Sequence, residues 1–123
     1  MKFKSSQVKG KGRGKLLGFP TINLEIPEDL ELVDGIYAVR VYIDGSSFMG
    51  ALHSGPIPTF NETEKTLEVF LIDVDPKILP EQIPDLEVEI IKYLRPIINF
   101  NNQEELAKQI SKDVEETKKL LNP

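Results

Sequence analysis

The chain has 123 residues, 40% of them hydrophobic and 28% charged, with a formal net charge of -5 and no cysteine. This size and composition suit one domain over residues 1–123 and exclude a disordered or collagen-like chain. Disulfides and thiolate metal sites are excluded, and no apolar run approaches the roughly 18 residues that span a bilayer. The N-terminus also lacks the apolar stretch of a signal peptide. We therefore expect a cytoplasmic monomer without membrane contact.

The charge is distributed unevenly along the chain. Residues 1–24 carry six lysines and arginines and no acidic residue, so the other 99 residues sum to -11. A wholly basic surface would indicate nucleic acid, but an acidic protein with one basic, glycine-rich end fits a small polyanion such as a nucleoside triphosphate better. We expect no nucleic-acid partner, and a small nucleic-acid-binding barrel is the least favoured interpretation.

Three glycines alternate with basic residues in the segment Gly10–Lys15. Glycine lets backbone N–H groups approach a phosphate closely, and side chains such as Lys15 supply positive charge. The segment is not a Walker A motif, because no Gly-Lys-Ser/Thr opens a helix. On its own, the segment fits a solvated loop without a ligand at least as well.

A candidate strand begins at Thr21. Side chains alternate along a strand, so the hydroxyl of Thr21 and the amide oxygen of Asn23 would lie on one face. Such oxygens suit Mg²⁺, which takes its remaining ligands from water and substrate phosphates. The alternative is that both side chains satisfy only hydrogen bonds of a turn and a strand edge.

Six short apolar or alternating runs, separated by turn residues, predict six strands. The runs lie near residues 3–8, 21–26, 36–43, 48–53, 66–73 and 86–93. The dipeptide Asp44-Gly45 favours a tight hairpin between the third and fourth strands. Apolar residues then recur at helical spacing over the last twenty positions, after a possible capping box of Asn102 and Glu105. This order predicts a mainly β fold, a small closed antiparallel barrel with a C-terminal helix.

Glu68 lies in the fifth run, Thr66–Asp73. Alternation places it on the same face as Phe70 and Ile72, and apolar neighbours disfavour a charged carboxylate, so we expect a raised pKa suited to a general base. The equally weighted alternative is an ordinary glutamate on an exposed barrel face.

Two further residues could bind ligands or move protons. Arg95 ends the last strand and could clamp an anion or stack on an aromatic ring, although a surface ion pair is the commoner role. His53 is the only histidine, which excludes any site that needs two. We expect a structural role for His53 more than one in proton transfer.

The motifs occur in one order over nearly the whole chain, and in that order they closely resemble riboflavin kinases. Gly-Phe-Pro-Thr-x-Asn is the most specific of them. The motifs are Val8-x-Gly-x-Gly-Arg-Gly14, Leu17-Gly-Phe-Pro-Thr-Ile-Asn-Leu24, Gly35-Ile-Tyr-Ala38, Gly55-x-x-Pro-Thr-Phe60, Leu67-Glu-Val69 and Leu94-Arg-Pro96 through Phe100. The resemblance extends to the kinase module of bacterial bifunctional riboflavin kinase/FAD synthetases.

The resemblance implies a six-stranded Greek-key barrel that transfers the γ-phosphate of ATP to the 5′-hydroxyl of riboflavin, giving FMN, with Mg²⁺ as cofactor. In that comparison Thr21 and Asn23 match residues that bind Mg²⁺ and the nucleotide, and Glu68 matches the catalytic base.

The resemblance implies three further binding residues. Gly10 and Lys15 match the loop over the phosphates, and Arg95 matches a residue of the flavin-side loop. The adenylyltransferase domain of the bifunctional proteins is not in this sequence, so FAD synthesis by this chain alone is not expected.

The chain departs from the family pattern at three positions. His53 replaces a common asparagine, Ile57 stands where bacterial relatives often carry arginine, and Ile98 replaces a polar or basic residue. These departures leave substrate affinity and nucleotide preference open. They also motivate a second hypothesis, a flavin- or nucleotide-binding barrel module with weak or no catalysis.

Overall fold

A computed structural model describes residues 1–9, 19–61, 63–80 and 82–122. Within this part of the chain there are six strands, one α-helix and two short 3₁₀ turns. The strands are β1 (Lys2–Ser5), β2 (Thr21–Asn23), β3 (Gly35–Ile43), β4 (Ser46–Gly55), β5 (Thr66–Ile72) and β6 (Leu86–Arg95); the helix is α1 (Gln103–Leu121), and the 3₁₀ turns are Pro58–Phe60 and Pro76–Ile78. The six predicted strands and the C-terminal helix are confirmed.

The six strands form one antiparallel sheet in the order β1-β6-β3-β4-β5-β2. Its two edge strands meet through an isolated bridge between Gln7 and Leu24 and through the Val8 N–H, which donates to the Asn23 carbonyl at 2.8 Å. The sheet therefore curls into the predicted barrel. The strand β6 lies between β1 and β3, so neighbours in space are not neighbours in sequence, as in a Greek key.

The predicted hairpin joins β3 to β4. Asp44 has φ 50° and Gly45 has φ 81°, and Ile43 pairs directly with Ser46 across the turn. Positive φ at both central residues is the geometry that Asp-Gly favours in a two-residue hairpin. The antiparallel pairing of these two strands is therefore confirmed.

Alternation along the strands divides the apolar side chains between two layers. One layer fills the barrel interior, and the other lies between the outer face of the sheet and α1. The interior includes Ile22, Leu24, Val39, Leu52, Leu67, Val69, Leu71 and Val88. The helix-side layer includes Ala51, Ile57, Phe70, Ile72, Leu106, Ile110 and Val114. Residues on the outer face of β4 and β5 are therefore buried only where the helix and its neighbouring segments cover them.

The helix begins as the sequence predicts. The Glu105 N–H donates to Asn102 Oδ1 at 2.9 Å, which satisfies one free N–H group of the first turn. The Glu105 carboxylate accepts from the Asn101 N–H at 3.4 Å, so the return bond of the capping box goes to the residue before the cap. At the other end Arg40 Nη2 donates to the Leu121 carbonyl at 3.1 Å, which links α1 to β3. No helix in the described ranges is long and apolar enough to cross a membrane.

Candidate active site

The predicted catalytic and metal-binding residues meet on one face of the sheet. Asn23 on the edge strand β2 pairs directly with Glu68 on β5, and Thr21 pairs with Phe70. Directly paired residues in an antiparallel sheet place their side chains on the same face, with Cβ atoms about 4.5–5.5 Å apart. Thr21, Asn23 and Glu68 therefore share one face, and this is the helix-facing outer face of the barrel.

Glu68 is buried on this outer face. Its side chain is 4% exposed, and its neighbours on β5 in the same row of side chains are Phe70 and Ile72, both part of the helix-side layer. The alternative of an ordinary glutamate on an exposed face is therefore wrong. The burial places a carboxylate in a largely apolar setting, where it is less well hydrated than at the surface.

The β2 residues are more open than Glu68. Thr21 and Asn23 are both half-buried, and the backbone around them is held by the Leu71 N–H, which donates to the Pro20 carbonyl at 2.9 Å, and by the bond from Val8 to Asn23. The backbone hydrogen bonds thus hold β2 in place, and the side chains of Thr21 and Asn23 lie on the same face of the sheet as Glu68. Among the described residues no group of three or more His, Asp or Glu side chains could hold a metal ion.

His53 extends the row of polar residues onto β4. It pairs directly with Glu68, and it is 7% exposed. Its Nε2 lies 3.0 Å from the Pro56 carbonyl oxygen. A carbonyl can only accept, so Nε2 carries the proton and donates. Burial lowers the pKa of the imidazole from its ordinary value of 6.5, and the Arg95 guanidinium contributes in the same direction.

Arg95 forms a buried ion pair. Its Nε donates to both carboxylate oxygens of Asp113 on α1, at 2.9 and 3.1 Å, and its Nη2 donates to Oδ2 at 2.7 Å. The two side chains are 12% and 3% exposed. The guanidinium carbon also lies 5.9 Å from the centroid of the Phe100 ring. The structure therefore uses Arg95 to join β6 to α1, and its predicted contact with a flavin remains a prediction.

A narrow pocket lies between the sheet and α1, next to these groups. Its cavity volume is about 10 Å³, room for about one water molecule. His53, Phe70 and Arg95 line it from the sheet, Ile57 from the turn after β4, and Phe100 from the segment before the helix. The pocket is therefore mostly apolar with one buried ion pair in its wall.

Two predicted site residues fall outside this geometry. Gly10 and Lys15 lie outside the residues that the structure describes, so the predicted phosphate loop stays a prediction.

The sequence reasoning assigned no role to two buried polar residues. Asp113 lies in the part of the helix that resembles the family's ending, in register with the apolar face of α1 beside Ile110 and Val114, and it holds Arg95. Ser54 is fully buried, and its Oγ has no hydrogen-bond partner in the described part of the chain. Nothing in the local sequence distinguishes such a serine from an exposed one.

Comparison with known proteins shows the family to which the chain belongs. The model of the family described as "Flavokinase: Riboflavin kinase" matches residues 1–121. The chain therefore belongs to the riboflavin kinase family.

Individual relatives agree with this assignment. A bifunctional riboflavin kinase/FMN adenylyltransferase of Haemophilus influenzae is 34% identical over 116 residues, covering 94% of this chain and 37% of the relative. An RNA-binding riboflavin kinase of Bacillus subtilis, RibR, is 38% identical over 108 residues, covering 87% of this chain and 45% of the relative. The chain thus spans less than half the length of these two curated relatives.

A solved structure shares the fold. The crystal structure of a macrolide-efflux protein from Streptococcus pneumoniae superposes with a TM-score of 0.79 at 25% identity, covering 95% of this chain and 38% of that chain.

Proposed function

We propose that this chain is an ATP-dependent riboflavin kinase, which transfers the γ-phosphate of ATP to the 5′-hydroxyl of riboflavin and releases FMN and ADP. The observation that carries the proposal is the direct pairing of Asn23 with the buried Glu68, with Thr21 on the same face. Membership of the riboflavin kinase family supplies the substrates. A cytoplasmic location and a monomeric state remain predictions from the sequence.

Glu68 acts as the general base in this proposal. The hydroxyl of the ribityl chain must lose its proton as its oxygen attacks the γ-phosphorus, and the Glu68 carboxylate accepts that proton. Glu68 is 4% exposed and pairs directly with Asn23, so its carboxylate lies on the face proposed to hold the nucleotide. The phosphorus–oxygen bond to ADP breaks as the new bond forms, so catalysis rests mainly on alignment and charge stabilisation.

Thr21 and Asn23 would hold the Mg²⁺ of the nucleotide. Their hydroxyl and amide oxygens are hard neutral ligands, and the described residues offer no acidic cluster that would bind the ion without substrate. The ion, when bound, neutralises charge on the transferring phosphoryl group. This donor set predicts that the metal enters with the phosphates of ATP.

Gly10 and Lys15 are proposed to close over the phosphates, and Arg95 is proposed to lie on the flavin side. Arg95 and Phe100 both line the narrow pocket beside the helix, which has room for about one water molecule, so a flavin ring would contact Arg95 from outside this pocket. The guanidinium is already paired with Asp113, so we propose that Arg95 acts by its fixed position at the edge of the site and not as an unpaired positive charge.

The second hypothesis, a binding module without catalysis, draws on the departures at Ile57 and Ile98. Ile57 is 4% exposed within the helix-side layer, so its apolar side chain is accommodated by packing. Ile98 lines the pocket and is 42% exposed. Ile57 and Ile98 thus make the lining of the pocket more apolar, while Asn23 and Glu68 remain directly paired.

One assay separates the two hypotheses. The chain is incubated with riboflavin and Mg²⁺ plus ATP or CTP, and FMN is quantified by chromatography, with an EDTA-treated sample and a known riboflavin kinase as controls. The kinase proposal predicts FMN that requires both the triphosphate and the metal. Riboflavin binding without FMN, under conditions in which the known kinase works, would support the inactive module and overturn the proposal.

A further inference from the structure

The turn that follows β4 precedes β5, the strand that carries Glu68, and contacts the segment before α1. It runs from Gly55 to Asn61 and contains the 3₁₀ turn Pro58–Phe60. Ile57 of this turn packs in the helix-side layer, and Thr59 Oγ1 accepts from the Phe100 N–H at 3.1 Å. Because Ile57 and Phe100 both line the pocket, the position of this turn sets one wall of the site.

Two side chains hold the start of the turn. Thr66 Oγ1 on β5 donates to the Gly55 carbonyl at 3.0 Å, and His53 Nε2 on β4 donates to the Pro56 carbonyl at 3.0 Å. Gly55 itself has φ 127°, a backbone conformation that residues with a side chain rarely adopt, and a Cβ there would clash with Ile97 Cδ1, so glycine is needed where the chain leaves the strand. The turn is thus fixed by side chains from both strands of the pair that carries Glu68.

His53 is the one of these two that also stands directly opposite Glu68. Its ring is buried at 7% exposure and lines the pocket together with Arg95 and Phe70. The bond from Nε2 to Pro56 determines both the tautomer and the plane of the ring. His53 is therefore the direct cross-strand partner of Glu68 and is also hydrogen-bonded to the turn that forms one wall of the pocket.

We infer that His53 is a positioning residue of the kinase reaction, which sets the distance between Glu68 and the turn Gly55–Asn61 through its Nε2–H bond to the Pro56 carbonyl. The inference rests on the proposed kinase activity for its catalytic consequence. Misplacement of a reacting group by about 1 Å can cost about 100-fold in rate, so loss of this bond should lower kcat substantially. Thr21 and Asn23 are not part of this bond, so the KM for ATP should change little.

Three substitutions test the bond. His53→Leu removes the donor while keeping an apolar side chain of similar size. His53→Gln keeps an N–H donor the same number of bonds from Cβ as Nε2, and His53→Asn places a donor one bond closer. We expect kcat to fall about tenfold or more in the leucine and asparagine variants, to recover to within about threefold in the glutamine variant, and the KM for ATP to stay within about threefold throughout.

Stability is controlled separately. Ile43 lies in the barrel interior at the hairpin end of β3, far along the sheet from His53, so Ile43→Val should lower the urea midpoint of unfolding without lowering kcat. If the leucine variant does not fold, the comparison of glutamine with asparagine still decides. Equal kcat in those two variants, or wild-type kcat in the leucine variant, would overturn the inference.

Hydrogen exchange provides a readout that needs no activity. The Phe60 N–H donates to the Ile57 carbonyl and the Asn61 N–H donates to the Pro58 carbonyl, so both amides report on the turn. We expect both to exchange about tenfold faster in the leucine or asparagine variant than in wild type, and near the wild-type rate in the glutamine variant. Unchanged exchange of both amides in His53→Leu and in His53→Asn would reject the role of His53. Absence of FMN from the wild-type chain would reject only the kinase proposal.

Discussion

Glu68 shows how one side chain can be on the outer face of a barrel and still be buried. Its row of side chains on β5 faces α1, and the helix-side layer covers it. Its direct cross-strand partners are Asn23 on β2 and His53 on β4, so it lies in a row of polar side chains.

Replacement of Glu68 by glutamine should separate catalysis from binding. The amide keeps the shape and removes the proton acceptor, so we expect kcat for FMN formation to fall about 100-fold or more while riboflavin affinity changes little. Steady-state kinetics and a riboflavin titration measure the two effects. The control is Glu115→Gln on the exposed face of α1, which makes the same change of charge away from the site. Wild-type turnover by the Glu68 variant would remove this residue from the mechanism.

Ser54 lies next to His53 in sequence and faces the barrel interior. Its side chain is fully buried, and within the described ranges its hydroxyl has no hydrogen-bond partner. An unsatisfied buried polar group destabilises a fold by about 1–3 kcal/mol. We expect Ser54→Ala to raise the free energy of unfolding by about 1 kcal/mol, measured by urea denaturation. Ser47→Ala, exposed on the same strand, should change it by less than about 0.5 kcal/mol. A Ser54→Ala variant that is less stable than wild type would contradict this account.

At the scale of elements, the docking of α1 combines apolar packing with one buried ion pair. Leu106, Ile110 and Val114 face the sheet, and Asp113 beside them binds Arg95. Gln109 Nε2 also donates to Asp113 Oδ1 at 3.2 Å. The carboxylate thus has partners on both oxygens, as a buried charge requires.

Removal of one partner of this ion pair should be costly. Asp113→Asn leaves the Arg95 guanidinium buried without a counter-charge, so we expect a loss of about 3 kcal/mol in the free energy of unfolding. The double variant Arg95→Met/Asp113→Leu should lose less than the two single substitutions together, because no charge is left buried. Asp73→Asn, which breaks the exposed pair with Lys118, should cost less than about 1 kcal/mol. Equal losses of unfolding free energy in Asp113→Asn and Asp73→Asn would contradict a larger contribution of the buried pair to stability.

At the scale of the whole molecule, stability should depend on pH through His53. Burial, the largest cause, and the Arg95 charge lower its pKa below 6.5, while its bonds to backbone carbonyls act in the opposite direction. The folded state therefore binds the proton less readily than the unfolded state. The stability that the neutral ring contributes is fully present above about pH 6.5, and it is lost as pH falls from there through the lower folded-state pKa.

Urea denaturation of wild type and His53→Gln between about pH 5 and about pH 7.5 tests this dependence. The difference in unfolding free energy between the two proteins should shift against wild type on acidification, by at most about 1.4 kcal/mol per pH unit for one proton. Parallel stability curves for the two proteins would contradict a lowered pKa. The carboxylates titrate in both proteins and cancel in the difference.

The local pattern of the sequence predicted much of this molecule. Alternation of apolar residues indicated the six strands and the face shared by Thr21 and Asn23, because side-chain direction along a strand depends only on position. The dipeptide Asp44-Gly45 indicated the hairpin turn. Helical spacing and the Asn102 cap likewise indicated α1. The ordered motifs were sufficient to suggest the riboflavin kinase family, and the family comparison confirms it.

Beyond the β3–β4 hairpin, only the tertiary structure decided which strands are neighbours. The pairing of β2 with β5 brings together residues 45 positions apart in the chain, so the meeting of Asn23 with Glu68 could not be deduced from local periodicity. The burial of Glu68 and His53 and the attachment of Arg95 to Asp113 have the same origin. Strand periodicity sets the face of a residue, whereas long-range pairing and the layer packed on that face determine its partner and its exposure to water.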